Sequence, residues 1–579
     1  MTSIKKITNL LSKNQKKSTI FLIILVFIGM LFEMLSLGIL LPFLSIVLKP
    51  NAADVYPMLK TFLKLIGNPT HIFFIFLCLI SLVGIYILKT VFVIYSTWEQ
   101  SKFSANLSAS LSNQLFNGYL QLPYKFHLER NSAILIRNIQ VEVSNFTGMT
   151  NSVIFLITEI SVVCGVAFML FIIEPIGALS VMLFLLISGY IFFKITKKKL
   201  TTWGEERQNY AGLMSQSLMQ GLSGVKEVKL LGKEPFFLET FTNPNVSNTK
   251  ILAKVQTLNQ IPRLYLELLS IIALSFLIMI MVIQNKPTEF IMPTLGLFVA
   301  AAFRMIPSVN RIMSALQSIS FTKAVINVFH TEFNLIKENS QIKNSKNDFH
   351  FKNEIILNNI NFKYNTSTLE ALKGISFIIP KGSCIGLIGQ SGSGKSTLVD
   401  IILGLLDPSS GSISVDGIEI NKNLRGWQNQ VGYVPQSIYL VDDTLRNNIA
   451  FGVYESEINE GMLENAIFAA QLSDFIKTLP EGLDTKVGER GVRLSGGQRQ
   501  RIGIARALYN NPQILIFDEA TSALDNQTEI EFMQALKMLQ GIKTMIIIAH
   551  RLTTVKDCDI IYKLKEGKII QKGTLLEIE

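Results

Sequence analysis

Six long apolar segments in the first 312 residues constrain the fold more than any other feature of the sequence. They lie at about 19–48, 71–98, 151–173, 176–195, 261–283 and 290–312. A helix needs about 20 apolar residues to cross the hydrocarbon core of a bilayer, and every segment reaches that length. Because backbone groups in lipid must hydrogen-bond within their own segment, the pattern predicts six membrane-spanning helices.

The lysines around these segments predict the orientation of the chain. Lysines precede the first segment and occupy 197–199 after the fourth, so both termini are predicted to be cytoplasmic. Two long excursions on the same side centre near 123–131 and 224–241. The outer loops are short, and helical spacing of apolar residues within 51–70 predicts a helix on the outer membrane surface.

The composition supports a membrane protein. Charged residues make up 17% of the chain, below the roughly 25% of soluble proteins. The net charge of +11 suits basic cytoplasmic flanks, and with no RNA- or DNA-reading motif a nucleic-acid partner is not expected. The four cysteines show neither metal-ligand nor disulfide spacing and are expected to be ordinary core or membrane residues; they are Cys78, Cys164, Cys384 and Cys558.

A few ionisable residues lie within or beside the apolar segments, where a charge is costly and marks either a site or an ion pair. Glu33 lies in the first segment and is one candidate. Arg304 and Arg311 are seven residues apart, which places them on one helix face, and the planar arginine fork suits phosphate. We predict an anion-binding wall, with interhelical pairing to Glu33 or Glu267, or snorkelling of the side chains to the membrane surface, as the alternatives. Its members are Lys89, Arg263, Arg304 and Arg311.

The most specific motif is the glycine-rich segment at 389–397. It lies between an apolar, strand-like run and a helix-like run, which is the context that a phosphate-binding loop requires. Glycines let backbone N–H groups surround phosphate oxygens, Lys395 adds a charge at the β- and γ-phosphates, and the Ser396 hydroxyl can ligate Mg²⁺. The predicted nucleotide contacts are Gly389, Ser391, Gly392, Gly394, Lys395, Ser396 and Thr397.

Other residues of the second half complete a predicted ATP site. Tyr364 is predicted to stack on adenine, and Gln436, after a strand-like run, to touch Mg²⁺ and the attacking water. A buried strand ends in Asp518, predicted to hold Mg²⁺ through water, and Glu519, predicted to orient or deprotonate the lytic water. His550 ends another strand and is predicted to sense the γ-phosphate. A second anion site is predicted where a glycine turn opens a helix, at Ser495, Gly496, Gly497 and Gln498.

Together these motifs resemble those of a bacterial ABC exporter half-transporter over essentially the whole chain. The resemblance implies a type I exporter fold, with a six-helix transmembrane domain at 1–325, a linker at 326–349 and an α/β nucleotide-binding domain at 350–579. It also implies a homodimer in the bacterial inner membrane, driven by ATP and Mg²⁺. Each ATP site would pair one subunit's phosphate loop with the other's 495–498, Asp525 would be the D-loop aspartate, and the two cytoplasmic excursions would be coupling helices.

Two stretches, 303–311 and 262–267, are similar to the subgroup that flips lipid-linked oligosaccharides for protein N-glycosylation, as is the predicted outer helix. The resemblance implies a substrate with a polyprenyl tail and a pyrophosphate, which suits an arginine wall. An exporter of a peptide, lipid or drug with the same architecture is the alternative, and an ATP-gated channel is a further one. Six spans exclude a soluble ABC ATPase of DNA repair or translation.

Overall fold

The computed structural model of the chain describes residues 12–39, 71–173, 175–283, 288–339, 349–365, 367–488, 491–520, 526–549 and 551–578. The chain divides into two compact units. The first comprises Met1–Leu122 and His127–Ser340, and the second comprises Pro123–Phe126 together with Gln341–Glu579. The predicted outer helix within 51–70 lies outside the described residues.

Six long helices form the described part of the first unit, and every predicted span lies on one of them as far as it is described. They are α1 (Lys13–Gly38), α2 (His71–Gln121), α5 (Val143–Ile173), α6 (Pro175–Ser223), α8 (Glu234–Ile283) and α9 (Thr288–Asn339). Short elements lie between them: α3 (Tyr124–Glu129), α4 (Ser132–Arg137), a π-helical turn (Asn138–Glu142) and α7 (Val225–Leu231). Four described stretches are apolar and long enough to cross a membrane: Lys13–Ser36, Ile75–Gln121, Ser132–Ile172 and Met305–Asn339.

Four of the long helices extend well beyond a bilayer. Helices α2, α6, α8 and α9 have 51, 49, 50 and 52 residues, and a helix of that length measures about 75 Å, more than twice the hydrocarbon thickness. The extension of α9 packs on α5 through buried aromatic residues. The Phe146 ring of α5 stacks on the Phe329 ring of α9 with centroids 4.8 Å apart.

The predicted linker at 326–349 differs from the structure, because α9 continues to Asn339. The physical reason is burial: Ile326 and Phe329 are 3% and 1% exposed and keep this stretch packed as a helix. Residues 340–348 of the predicted linker lie outside the described part of the chain.

The predicted cytoplasmic excursions contain the short helices α3 and α7. Helix α7 ends at Gly232, which adopts a left-handed conformation with φ of 61°. The N–H of Lys233 reaches back to the carbonyl of Val228 at 3.0 Å, which is a common helix stop. Leu230 and Leu231 on this helix are 81% and 65% exposed.

The second unit contains two sheets. The antiparallel sheet has the order β2-β1-β4-β5, and the larger sheet has the order β10-β9-β3-β8-β7-β6. The strands are β1 (Glu354–Phe362), β2 (Leu372–Pro380), β3 (Cys384–Gly389), β4 (Ser410–Val415), β5 (Ile418–Glu419), β6 (Val431–Val434), β7 (Ile514–Asp518), β8 (Thr544–Ile548), β9 (Ile560–Lys565) and β10 (Lys568–Gly573). The helices are α10 (Lys395–Ile402), α11 (Leu424–Gln428), α12 (Leu445–Ile449), α13 (Glu460–Ala469), α14 (Ser473–Lys477), α15 (Gly496–Tyr509), α16 (Asn526–Leu539) and α17 (Leu575–Ile578).

The central strands of the larger sheet place the site. Strand β3 pairs in parallel with β8 and β9, and β7 pairs in parallel with β6 and β8. Every residue of β7 and β8 is buried, as expected for a parallel sheet covered on both faces. Ligands of such sheets bind beyond the carboxyl ends of the strands. The phosphate loop follows β3 at that edge, and the two predicted carboxylates are the last residue of β7 and the residue after it.

Candidate functional site

The phosphate loop connects the last residue of β3 to the first residue of α10. Gly389, Gly392 and Gly394 have φ angles of 153°, 78° and 101°. A Cβ atom on Gly389 would lie 2.3 Å from the carbonyl oxygen of Leu564, and one on Gly394 would lie 2.7 Å from that of Ala371. Glycine is therefore required at both positions by conformation and by space.

Lys395 lies inside this loop. Its Nζ donates to the carbonyl oxygens of Gly389 at 2.8 Å and Gln390 at 3.1 Å, and the residue is 5% exposed. Burial lowers the pKa of Lys395, while the charges of Glu519 and Asp518 act in the opposite direction. The buried Ser393 Oγ has no hydrogen-bond partner among the described residues. An unpartnered hydroxyl, a buried ammonium and a helix N-terminus together fit a phosphate group.

The two predicted carboxylates follow one another at the end of β7. Glu519 has a φ of 49°, a left-handed conformation that costs a non-glycine residue roughly 1–2 kcal/mol and is concentrated at functional sites. Its N–H donates to the carbonyl of Ile548 at 3.1 Å. The Nε2 of Gln436 donates to Glu519 Oε2 at 2.7 Å. The structure thus brings together the two residues that were predicted to contact the lytic water.

Two residues at this edge, Tyr433 and Asp400, were not predicted from the sequence. The Tyr433 hydroxyl donates to Asp518 Oδ2 at 3.5 Å, and burial raises the pKa of Tyr433, together with the charges of Asp518 and Asp400. Burial, with the nearby charge of Asp518, also raises the pKa of Asp400 to about 6. A carboxylate in the apolar run that follows Lys395 was the available signal for Asp400.

Tyr364 lies close to the phosphate-loop helix. Its hydroxyl is 3.1 Å from Thr397 Oγ1, and its ring meets that of Phe362 edge-on, with centroids 4.9 Å apart. Stacking on adenine stays a prediction. The oxygen donors of Ser396, Gln436 and Asp518 are of the kind that Mg²⁺ prefers.

Ser495 and Gln498 form a reciprocal cap at the start of α15. The Ser495 Oγ accepts from the Gln498 N–H at 3.2 Å, and the Gln498 Oε1 accepts from the Ser495 N–H at 2.8 Å. This capping box explains why the helix begins at Gly496. Asp525 and His550 lie outside the described residues, so their predicted roles stay predictions.

The cations predicted to bind substrate are engaged in ion pairs where their side chains are described. Lys89 Nζ is 2.9 Å from Glu33 Oε1 and 3.3 Å from Ser36 Oγ. The side chains of this pair are 17% and 6% exposed, so it is largely enclosed between α1 and α2. Its geometry favours the ion-pair alternative for Lys89.

The arginines differ in their surroundings. Arg311 Nε on α9 lies 2.7 Å from Glu159 Oε1 on α5; the arginine side chain is 49% exposed and the carboxylate 9%. Arg263 pairs with Glu267 on the same helix at 3.2 Å, and both side chains are more than half exposed. The side chain of Arg304 is not among the described ones. Arg311 therefore combines an enclosed acidic partner with an accessible guanidinium.

Comparisons with known proteins agree with this architecture. The family model of the ABC transporter transmembrane region matches residues 18–288, and that of the ABC transporter matches residues 372–522. The chain is 33% identical over 507 residues to an ATP-dependent lipid A-core flippase of Saccharophagus degradans, covering 86% of this chain and 84% of the relative. It is 28% identical over 596 residues to the heterocyst differentiation ATP-binding protein HepA of Nostoc, covering 98% and 92%.

Among solved structures, a bacterial Atm1-family ABC exporter with ATP bound is similar, with a TM-score of 0.79. The match covers 97% of this chain and 96% of that one at 24% sequence identity. At that identity the match shows a shared fold. It confirms the predicted helical transmembrane domain followed by an α/β nucleotide-binding domain. These matches, together with the phosphate loop and the paired carboxylates, show that the chain belongs to the ABC exporter family and is an ATP-driven half-transporter.

Proposed function

We propose that the protein is a flippase that moves a polyprenyl-pyrophosphate-linked oligosaccharide across the bacterial inner membrane, for protein N-glycosylation or glycan export. The observation that carries the proposal is the half-exposed Arg311, held by the enclosed Glu159 and two helical turns from Arg304. Two guanidinium forks on one helix face suit a diphosphate better than a peptide or an uncharged drug. The name of the Saccharophagus relative, a lipid A-core flippase, also favours a lipid-linked glycan as substrate.

The head group would bind by exchange. In the absence of substrate, Glu159 holds the guanidinium of Arg311 in place. An arriving pyrophosphate, with more charge and more acceptor oxygens than a carboxylate, would take over part of that contact. Lys89 and Arg263, engaged with Glu33 and Glu267, would add only to the positive potential of the wall, and the direct contacts on which transport depends would come from Arg304 and Arg311.

The ATP site would work as part of a homodimer in the inner membrane with both termini in the cytoplasm. Ser495, exposed at the start of α15, would face the phosphate loop of a second copy. Ser396, Gln436 and Asp518 would hold Mg²⁺. Bound ATP supplies the phosphoanhydride whose hydrolysis drives the cycle.

The protein side chains would position and deprotonate water. Lys395 would exchange its two loop carbonyls for phosphate oxygens, Gln436 would orient the water, and Glu519 would accept its proton. Helices α3 and α7 would act as coupling helices between the domains at 1–325 and 350–579. The exposed leucines of α7 supply an apolar surface for such a contact.

The test is transport in proteoliposomes that contain a fluorescent polyprenyl-pyrophosphate glycan. With ATP, the full-length protein should move the glycan to the leaflet where a membrane-impermeant glycosidase cleaves it, and Lys395→Ala should abolish both movement and ATP hydrolysis. Since Arg311→Leu alone leaves Glu159 enclosed without its cation, the test variant is Glu159→Gln/Arg304→Leu/Arg311→Leu. It should hydrolyse ATP without moving the glycan.

Arg263→Leu is the matched control, because its ion pair is exposed and within one helix. It should retain glycan movement. If the triple variant moved the glycan at the wild-type rate, the two arginines would not be the residues that bind the head group. ATP-dependent uptake of a peptide or dye without glycan movement would indicate an exporter of peptides or drugs and not a flippase. Ion conductance in planar bilayers would indicate a channel.

A further inference from the structure

Two cysteines of the second unit meet, although 174 positions separate them in the sequence. Cys384 begins β3, and Cys558 precedes β9 by two residues. Their Sγ atoms are 3.1 Å apart, and the residues are 3% and 9% exposed. This separation is only about 1 Å longer than a disulfide bond. Both are buried core residues, as expected from the sequence, and the structure adds that their sulfurs touch.

The backbone holds the two thiols together. The N–H of Cys384 donates to Asp559 Oδ2 at 2.7 Å, and the N–H of Asp559 donates to the carbonyl of Cys384 at 2.9 Å. These two bonds fix the residue after Cys558 against the start of β3. From this arrangement the two sulfurs have to approach by only about 1 Å to form a bond.

A small cavity borders both thiols. Its wall includes Lys537, Gln540 and Asp557. The side chains of Lys537 and Asp557 are 67% and 36% exposed, so this side of the cavity reaches solvent. We expect hydrogen peroxide, which is little larger than a water molecule, to reach the thiols from this side, and a folded reductase domain not to.

We propose that Cys384 and Cys558 form a redox-sensitive pair that a peroxide closes to a disulfide and that small thiol reductants reopen. The hydrogen bond between the two thiols and burial raise the pKa of Cys558, which favours the Cys384 sulfur for the first attack. That sulfur attacks a peroxide oxygen, the O–O bond breaks, and the Cys384 thiol is oxidised to a sulfenic acid as the thiol proton leaves with the other oxygen as water. The Cys558 sulfur then displaces the sulfenic oxygen, which leaves with the second thiol proton as water. Two thiols thus lose two electrons to one molecule of hydrogen peroxide, giving one disulfide and two waters.

The bond would join β3 to the segment that follows the 3₁₀ turn Leu552–Val555. This turn already packs on β3, since a Cβ atom on Gly386 would lie 3.1 Å from Val555. Cys384 is at the opposite end of β3 from the phosphate loop, five residues from Gly389. We therefore expect the disulfide to stabilise the nucleotide-binding unit and to leave ATP hydrolysis intact at moderate temperature.

The test uses reduced full-length protein in lipid nanodiscs. After brief treatment with hydrogen peroxide, free thiols are alkylated and the protein is digested without reductant. Mass spectrometry should find the Cys384 and Cys558 peptides linked, with two hydrogens lost, and dithiothreitol should separate them. The apparent melting temperature, followed by tryptophan fluorescence to which the buried Trp427 of this unit contributes, should rise by about 5–15 °C, because a disulfide typically contributes about 2–4 kcal/mol.

Two variants separate this pair from the other thiols. Cys78→Ser/Cys164→Ser should keep both the linked peptide and the rise in melting temperature, whereas Cys558→Ser should lose both while hydrolysing ATP like the reduced wild type. If wild-type protein that still hydrolyses ATP yields both cysteines alkylated, or one of them as a sulfinic acid without a linked peptide, the proposal is overturned. An equal rise in melting temperature in Cys558→Ser would overturn the stabilising role.

Discussion

Replacing Lys89 by methionine should destabilise the membrane unit far more than removing an exposed lysine from the same helix. The Nζ of Lys89 lies 2.9 Å from the Glu33 carboxylate, and Glu33 is 4% exposed. At that distance and an effective dielectric constant near 20, the attraction is roughly 6 kcal/mol before desolvation is subtracted. Loss of one partner of an enclosed pair costs about 3–5 kcal/mol, because the remaining charge keeps its desolvation penalty.

The expected effect is a fall of roughly 6–10 °C in the apparent melting temperature of the full-length protein in detergent. Glu33→Gln/Lys89→Met removes both charges at nearly constant volume and should recover most of that loss. Lys102→Met is the control, since Lys102 is an exposed residue of α2 whose ammonium lies over the Trp98 ring. Its melting temperature should stay within about 2 °C of the wild type.

The same variants decide whether Lys89 contacts the head group. If the ion pair is structural, the double variant should move the glycan at the wild-type rate. A folded double variant that does not transport the glycan would indicate that Lys89 is part of the anion-binding wall. A Lys89→Met protein that melts like the wild type, or a double variant no more stable than the single one, would refute the energetic reasoning.

Two further predictions concern the nucleotide-binding unit. Glu519→Gln should lower the rate of phosphate release by about 10²–10⁴-fold and leave ATP binding intact, because an amide does not accept the proton of water; turnover within tenfold of wild type would exclude Glu519 as the base. Asp416 accepts hydrogen bonds from the three backbone N–H groups at 352–354, at 2.6, 2.9 and 3.0 Å. Burial acts to raise the pKa of Asp416, yet these N–H groups keep it below its ordinary value. The contribution of Asp416 to the free energy of unfolding is therefore present above about pH 4 and is lost as the pH falls through the pKa of the folded state. Asp416→Ala should lower the free energy of unfolding by about 1–2 kcal/mol at pH 7 after solvent screening, and Asp416→Asn by less. Denaturation at pH 7 and pH 3 should show that the difference between wild type and Asp416→Ala shrinks in acid. A difference that does not change with pH would contradict the assignment.

Much of the nucleotide site was predictable because its signals are local. The phosphate loop needs glycines and a lysine within nine consecutive residues, and Asp518 and Glu519 simply follow an apolar run. The hydrogen bond between Gln436 and Glu519 was not predictable, because it depends on the parallel pairing of β6 with β7.

Sequence alone determined the long apolar segments, their helical state and the identity of the ATP-binding motifs, since bilayer thickness and phosphate geometry act on neighbouring residues. Tertiary structure decided which charges meet: Lys89 with Glu33 and Arg311 with Glu159, although each cation could have faced a cavity instead. It also decided that Cys384 and Cys558 touch. Contacts across tens to hundreds of positions follow from how helices and strands pack, and residue spacing carries no record of that packing.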